Sequence, residues 1–263
     1  MAKIDTLKDV ILKKKERIAS AKLEIPEEEL KVKAAALTPA RHFIEAINKP
    51  RQISLIAEIK KASPSQGIIR QEFNHLEIAR VYQDVGVQAL SVLTEEDYFL
   101  GNISYINEVK NICGVPVLRK DFILEPYQVY ESRFYGADAV LLIADLLAQD
   151  EITQLQALAS ELGMDCLVEV HNEKELKKVL KLKGVSLIGI NNRDLHTLEV
   201  DPKTTERLFT LIPKDKVVVV ESGLKSYQDI LFLKILGVNA VLIGTAFMQA
   251  ENIANKVEEL MGW

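Results

Sequence analysis

From residue 54 onward the chain repeats one unit: a short apolar run of strand type, an amphipathic helical stretch, and a glycine. The strand-type runs fall at 54–60, 89–94, 116–122, 139–144, 165–170, 187–192, 217–222 and 240–245. Helical stretches such as 150–162, 173–182 and 226–236 lie between them. Gly86, Gly114, Gly136, Gly163, Gly184 and Gly237 stand where helices should stop, as glycine commonly does. Strands and helices alternating through short loops pair in parallel by right-handed crossovers. Eight such units make the closed (β/α)8, or TIM, barrel. An open doubly wound sheet competes, but it usually carries a glycine-rich fingerprint after its first strand. Here the first strand runs into Lys60-Lys61-Ala62-Ser63-Pro64-Ser65. The expected fold is α/β, a TIM barrel over residues 51–263 within a single domain of residues 1–263.

Residues 1–50 read as helices ahead of that pattern. Ile4, Leu7, Val10, Ile11 and Ile18 mark one helical face, and the run Lys13-Lys14-Lys15-Glu16-Arg17 reads as a solvated one. Pro26 followed by Glu27, Glu28 and Glu29 reads as a helix start. Pro39 and Pro50 bracket a short segment with Phe43, Ile44 and Ile47 on one side. The region is too apolar for a linker and should pack on the barrel.

Composition narrows the function classes. The chain has 263 residues, 48% hydrophobic and 27% charged, as an ordinary globular protein does. A core of that size needs no disulfide. Cys113 and Cys166 lack metal-type spacing and fit a reducing compartment, so a cytoplasmic location is expected, with Cys166 in a strand core. No apolar run reaches membrane-span length, and residues 1–5 lack the apolar region of a secretory signal. A net charge of -5 argues against a nucleic-acid partner.

The chemistry lies where strands end. In the first run, Leu55, Ala57 and Ile59 share one face, and Ile56, Glu58 and Lys60 the other. Charges on a strand apolar on both sides need a partner or water. The anomaly recurs. The third strand ends with Lys120, the fifth carries Glu169, the sixth gives Asn191 and Arg193, and the seventh gives Glu221. Any one of these serves as readily for a cap or an ion pair. Together, at the end of the barrel where active sites sit, they point to a catalytic mouth.

Glu221-Ser222-Gly223 and Gly244-Thr245-Ala246 close the last two strands with small residues ahead of helical segments. Small residues let backbone N–H groups approach an anion, and these two loops are the usual phosphate site of such barrels. Lys60 and Ser63 complete that site if the eighth strand pairs with the first. Tyr98, Phe99 and Phe122 serve equally as core aromatics or as an apolar wall for a flat ligand. His42, His75, His171 and His196 show no ligand spacing, and His171 is expected on the face opposite Glu169. Neither metal nor cofactor is expected.

These residues together resemble the indole-3-glycerol-phosphate synthases of tryptophan biosynthesis. The resemblance spans essentially the whole chain. It rests on the stretch from Ala57 to Ser65, Leu93-Thr94-Glu95, Tyr98-Phe99, Lys120-Asp121-Phe122 and Leu167-Val168-Glu169-Val170-His171. It continues through Gly189-Ile190-Asn191-Asn192-Arg193-Asp194-Leu195, Glu221-Ser222-Gly223 and Ile243-Gly244-Thr245-Ala246. Leu224 stands where isoleucine is more usual, and Asn102 where serine is common.

The resemblance implies helices lying over the barrel mouth ahead of the first strand. It implies a carboxy-lyase that turns 1-(2-carboxyphenylamino)-1-deoxyribulose 5-phosphate into indole-3-glycerol phosphate, carbon dioxide and water. Lys120 would be the acid at the ketone oxygen and Glu169 the base, with Glu58, Lys60, Asn191 and Glu221 assisting. Arg193 would take the anthranilate carboxylate, its fork matching that group, and Phe99, Phe122 and Leu141 would take the ring. Ser63, Ser222, Gly223, Gly244 and Thr245 would hold the phosphate. The implied partner is this sugar-phosphate small molecule, with neither nucleic acid nor membrane. The chain would act as a monomer or beside other tryptophan-pathway enzymes. A lysine of ordinary pKa, about 10.4, is a slow acid at neutral pH. A second lysine and burial would lower that value and three carboxylates would raise it, so either direction stands open. A phosphoribosylanthranilate isomerase is the rival enzyme, but Cys166 sits too early in its strand for that chemistry. A barrel kept as a scaffold would be free to lose the strand-end charges, which this chain retains.

Overall fold

Side chains on each apolar run have two destinations, and closing the sheet satisfies both. The structure, a computed structural model, describes residues 6–263. The expected helical residue Ile4 and the stretch 1–5 lie outside the described residues. The barrel strands are Ser54–Ile59, Ala89–Leu93, Val117–Lys120, Ala139–Ile143, Asp165–Val170, Leu187–Asn191, Val217–Glu221 and Ala240–Ile243. All pair in parallel, and the first closes on the eighth with Ala57 opposite Ile243. Leu55, Ala57 and Ile59 pack outward against the helices, and Ile56 points into the barrel interior with Leu118 and Leu167. The faces therefore divide as the period of two requires.

Strand ends differ from the expected bounds by a few residues, for local reasons. The third strand stops at Lys120 because the Asp121 carboxylate accepts the Phe122 N–H at 2.8 Å and turns the chain. A two-stranded ribbon, Ala62–Ser63 against Gly67–Ile68, shapes the loop after the first strand. Gly237 stops the helix Tyr227–Leu236 with φ +101°, a conformation that suits glycine.

Three helices precede the barrel: α1 (Thr6–Glu24), α2 (Glu27–Ala35) and α3 (Phe43–Ile47). The N-terminal half of α1 lies over the mouth, where Leu7 and Val10 face the strand-end residues. Ile18 of α1 and Leu30 of α2 pack on Tyr127 of the helix Pro126–Phe134, down the barrel's flank. The short α3 lies at the opposite end. Its Ile44 N–H donates to Asp165 Oδ2 at 3.0 Å, and the Arg41 N–H ahead of it donates to Asp138 Oδ1 at 2.6 Å. Both aspartates stand where strands begin, and Phe43 and Ile47 enter the interior cluster from that end. The expected helical cover over the mouth is thus α1, and α3 plugs the floor.

One surface expectation fails. Lys14 is buried, at 2% exposure, within the run taken as solvated. Its ammonium reaches Glu96 at 3.0 Å and Asp121 at 2.9 Å. Its neighbours Lys13 and Arg17 do face water.

Candidate active site

A cavity of about 780 Å³ opens at the C-terminal ends of the strands. Its wall includes Glu58, Lys60, Lys120, Glu169, Asn191, Arg193 and Glu221. It also includes Ser63, Phe99, Phe122, Leu141, Ser222, Gly223, Gly244 and Thr245. All of these expected site residues therefore border one space; Tyr98, left open between core and wall, does not and packs against the interior cluster instead.

Lys120 is the electrostatic centre. Its Nζ donates to Glu169 Oε2 at 2.7 Å and to Glu221 Oε2 at 2.6 Å. Burial opposes its charge, but Glu169, Glu221 and Glu58 outweigh it and raise the lysine above its usual range. That settles the direction the sequence left open: the carboxylates win, and Lys120 stays an ammonium. Glu58 in turn accepts from Lys60.

The two carboxylates on Lys120 differ. Burial opposes ionisation of Glu169, but Lys120 and His171 hold its carboxyl below the usual range. Its Oε1 also accepts from Asn191 Nδ2 at 3.2 Å. Asn191 is oriented for this because its Oδ1 takes the Arg193 N–H at 3.0 Å. Glu221 has fewer donors, and its Oε1 is buried without a hydrogen-bond partner among the described residues. Burial pushes it up to about 7, with Lys120 opposing and Glu169 adding to the rise. The site thus holds one committed carboxylate and one that exchanges a proton near neutral pH.

His171 corrects the expectation that it faces away from Glu169. It stands two residues beyond Glu169 and keeps the same face, with Nε2 2.9 Å from Glu169 Oε1. Glu95 went unread as a working residue. Its carboxylate accepts the N–H groups of Asp97, Tyr98 and Phe99 at 3.1, 2.8 and 3.0 Å, which folds that loop so that Phe99 faces the cavity. Phe99 and Phe122 make a tilted pair with centroids 6.3 Å apart. Arg193 lines the wall with one guanidinium nitrogen on the Leu198 carbonyl at 2.8 Å. Glu95, Glu96 and Asp97 bring their carboxylates within 4.8 Å of one another, a grouping the sequence reading did not anticipate. Each is already engaged, by backbone N–H groups, by Lys14 and by Arg17 respectively.

The anion loops also differ from expectation. Ser222 and Gly223 have φ of +67° and +81°, so the chain turns sharply after the seventh strand. The next helix begins only at Tyr227, and the one after Gly244 is a single turn, Thr245–Met248. The expected helix starts therefore do not directly follow both loops, and an anion placed here would meet loop N–H groups more than a helix dipole.

The family model described as indole-3-glycerol phosphate synthase matches residues 7–260. The chain is 50% identical over 229 residues to the indole-3-glycerol phosphate synthase of Acetivibrio thermocellus, covering 87% of this chain and 88% of that one. It is 49% identical over 250 residues to the same-named protein of Desulforamulus reducens, covering 95% and 94%. Among solved structures, 3-hexulose-6-phosphate synthase from Salmonella typhimurium matches with a TM-score of 0.63 at 17% identity, covering 80% of this chain and 97% of that one. A chain of the tryptophan synthase complex of Pyrococcus furiosus matches at 0.60 and 16%, covering 80% and 98%. Those two likenesses speak to the fold alone.

Proposed function

The chain belongs to the indole-3-glycerol phosphate synthase family, and on that premise we propose how its barrel mouth carries out the reaction. The substrate is 1-(2-carboxyphenylamino)-1-deoxyribulose 5-phosphate, and the products are indole-3-glycerol phosphate, carbon dioxide and water. The carboxyl-bearing ring carbon attacks the ketone carbon, carbon dioxide leaves, and the new hydroxyl departs as water.

Lys120, kept as an ammonium, donates a hydrogen bond to the ketone oxygen and passes its proton as that oxygen becomes an alkoxide, a stronger base than an amine. Its contact with Glu221, at 2.6 Å, gives it a source of replacement protons. Loss of carbon dioxide restores the aromatic ring. Glu169, held ionised, then takes a proton from the methylene carbon beside the nitrogen as the hydroxyl leaves, which sets the double bond of the five-membered ring, and Lys60 with Glu58 assists departure of the hydroxyl. Asn191 keeps Glu169 in place. Arg193 receives the anthranilate carboxylate, and Phe99, Phe122 and Leu141 flank its ring. The phosphate lies against Ser222, Gly223, Gly244 and Thr245, with Ser63 completing the cradle.

The observation that carries this reading is Lys120 held between Glu169 and Glu221 on the cavity wall. Its test is to mix the deoxyribulose phosphate substrate with the protein and follow indole fluorescence. A folded protein that gives no fluorescence rise overturns it. The cavity is completed by one chain, which supports a working monomer. The bonds that tie α1 and α3 to the barrel support one domain over the whole length. Among the described residues no helix is long and apolar enough to cross a membrane. The two cysteines are unpaired, which supports the cytoplasm as its place of work.

A further inference from the structure

Glu169 is braced from outside the cavity. His171 Nε2 approaches its Oε1 at 2.9 Å, while His171 Nδ1 lies 3.0 Å from Glu175 Oε2. That same Glu175 oxygen accepts the His171 backbone N–H at 2.8 Å. Glu175 stands in the first turn of the helix Glu173–Val179. Its own N–H donates to the capping Asn172 at 3.0 Å, and the Asn172 amide reaches its second oxygen. A continuous run of hydrogen bonds thus leads from a helix start, through an imidazole, to the edge of the cavity. His171 and Glu175 are not part of the cavity wall, and their side chains are only 4% and 8% exposed.

Both ring nitrogens face a carboxylate oxygen. A neutral ring would set a lone pair against one of them, so both contacts are bonds only when the ring is the imidazolium. The charged groups around this assembly can be named. Lys120, Glu221 and Glu58 face one another across the mouth, while Glu169 and Glu175 face the ring. Glu169 and Glu221 share a single ammonium, and two carboxylates in that position compete for a proton. Lys120 touches both at nearly equal distance, 2.7 and 2.6 Å, and so does not choose between them. His171 touches only Glu169.

We infer that His171, braced by Glu175, is a positioning residue that fixes Glu169 as the ionised member of the Glu169–Glu221 pair and aims its second oxygen at Lys120. The inference rests on the reading of Glu169 as the base. Burial opposes the imidazolium, yet its bonds to Glu169 and Glu175 push its pKa up to about 10, so the brace stays charged throughout the neutral range.

The test uses His171→Gln, which keeps an N–H donor near Glu169 but removes the charge. Glu175→Gln is the second variant; it weakens the brace without altering any group that touches Glu169. For His171→Gln the acid limb of the kcat profile should move to higher pH by roughly one unit or more. Turnover should fall about 10-fold on the acid limb itself, at pH values below the shifted pKa, and recover toward neutral pH, with KM within about 2-fold of normal, because the ring does not line the cavity. Glu175→Gln should move the limb the same way by less. Unmoved limbs in both variants, or a loss uniform across pH, overturn the inference. If His171→Gln does not fold, Glu175→Gln decides alone. Glu169→Gln, run in parallel, separates the two readings. Turnover retained in that variant removes the base assignment and the inference with it. Turnover lost there, with the other two profiles unmoved, removes the inference alone.

Discussion

Lys14 Nζ lies 2.9 Å from Asp121 Oδ1, which ties the helix over the mouth to the residue directly after Lys120. The Asp121 side chain is wholly buried, and its other oxygen takes Arg119 at 3.0 Å and Thr94 Oγ1 at 2.6 Å. Burial works against this carboxylate, but Lys14 and Arg119 hold it down at about 2. Arg119 faces away from the cavity and Lys120 into it, so the cluster grips the third strand just behind the end that borders the cavity.

Lys14→Met should loosen that grip from one side. Removing one partner of a buried pair costs about 3–5 kcal/mol. Arg119 remains on Asp121 here, so the expected cost is at the low end, about 3 kcal/mol or less. The helix that carries Leu7 and Val10 into the cavity wall should fray, raising KM several-fold with less effect on kcat. Urea unfolding and steady-state kinetics check both. An unchanged midpoint together with an unchanged KM sinks the idea that α1 is latched here.

Lys120→Met should leave Glu169 and Glu221 facing each other without their shared cation. The folded pKa of Glu221, already above the ordinary value of 4.5, then rises further, and Glu169 loses the cation that does most to hold it down. A raised carboxylate contributes stability below its unfolded pKa and loses it as pH climbs through the folded one. The thermal midpoint should therefore be close to normal in acid and fall clearly on the alkaline side. Turnover should drop at least about 100-fold. Glu169→Gln should lose turnover comparably, yet keep or raise its midpoint, since it relieves the repulsion on Glu221. Equal midpoint losses at every pH, with kcat within a few-fold of normal, would return Lys120 to a structural role.

The sequence makes the strand faces legible because their period is two: Ile56, Glu58 and Lys60 inward, Leu55, Ala57 and Ile59 outward. The strand-end charges are legible for the same reason, and all of them border the cavity. Lys14 is not legible, because its partners Glu96 and Asp121 are distant in sequence and only the docking of α1 brings them together. Nor is the place of α3: an apolar pair such as Phe43 and Ile47 says that a segment packs, not on which end of a barrel. His171 follows the last strand residue, Val170, where a chain is free to turn away. What keeps it in register is the Glu175 carboxylate on its backbone N–H, a contact made by the next helix. The tuning of Lys120 depends on three carboxylates from three strands, and only distances decide whether they outweigh burial.

Stability should decline as pH rises from neutral, and the signs of the shifts give the window. His171 is raised from 6.5 to about 10, so its contribution is complete below 6.5 and is lost as pH climbs toward 10. Glu221, raised from 4.5 to about 7, loses its contribution earlier, between those values. Urea midpoints measured from about pH 6.5 to about pH 9 should fall in the normal protein. In His171→Gln the decline should be shallower, by at most about 3 kcal/mol across that interval. Parallel declines in the two proteins would mean that His171 does not titrate with folding.

Gly244 meets a second constraint besides its proposed place at the phosphate. Its φ of -131° is open to any residue, so backbone strain does not exclude a side chain. Glu58 does: a Cβ at Gly244 would lie 2.9 Å from Glu58 Cβ and 3.0 Å from its carboxyl carbon, with Oε2 nearer still. The Glu58 backbone cannot retreat, because it lies in the first strand, locked to the eighth at Ala57 and Ile243. Its carboxylate must swing instead and leave Lys60, and because that rotation leaves Glu58 Cβ in place, the chain at Gly244, just past the eighth strand, must also give by a few tenths of an ångström. Gly244→Ala should therefore fold, yet lower kcat/KM about 10-fold or more by moving Glu58. The double variant Gly244→Ala with Glu58→Ala separates this cause from a phosphate effect. If Gly244 acts through Glu58, the pair should be little worse than Glu58→Ala alone, since neighbours that share one interaction are not additive. Losses that add in full would show Gly244 working on the phosphate by itself, and would remove the link to Glu58.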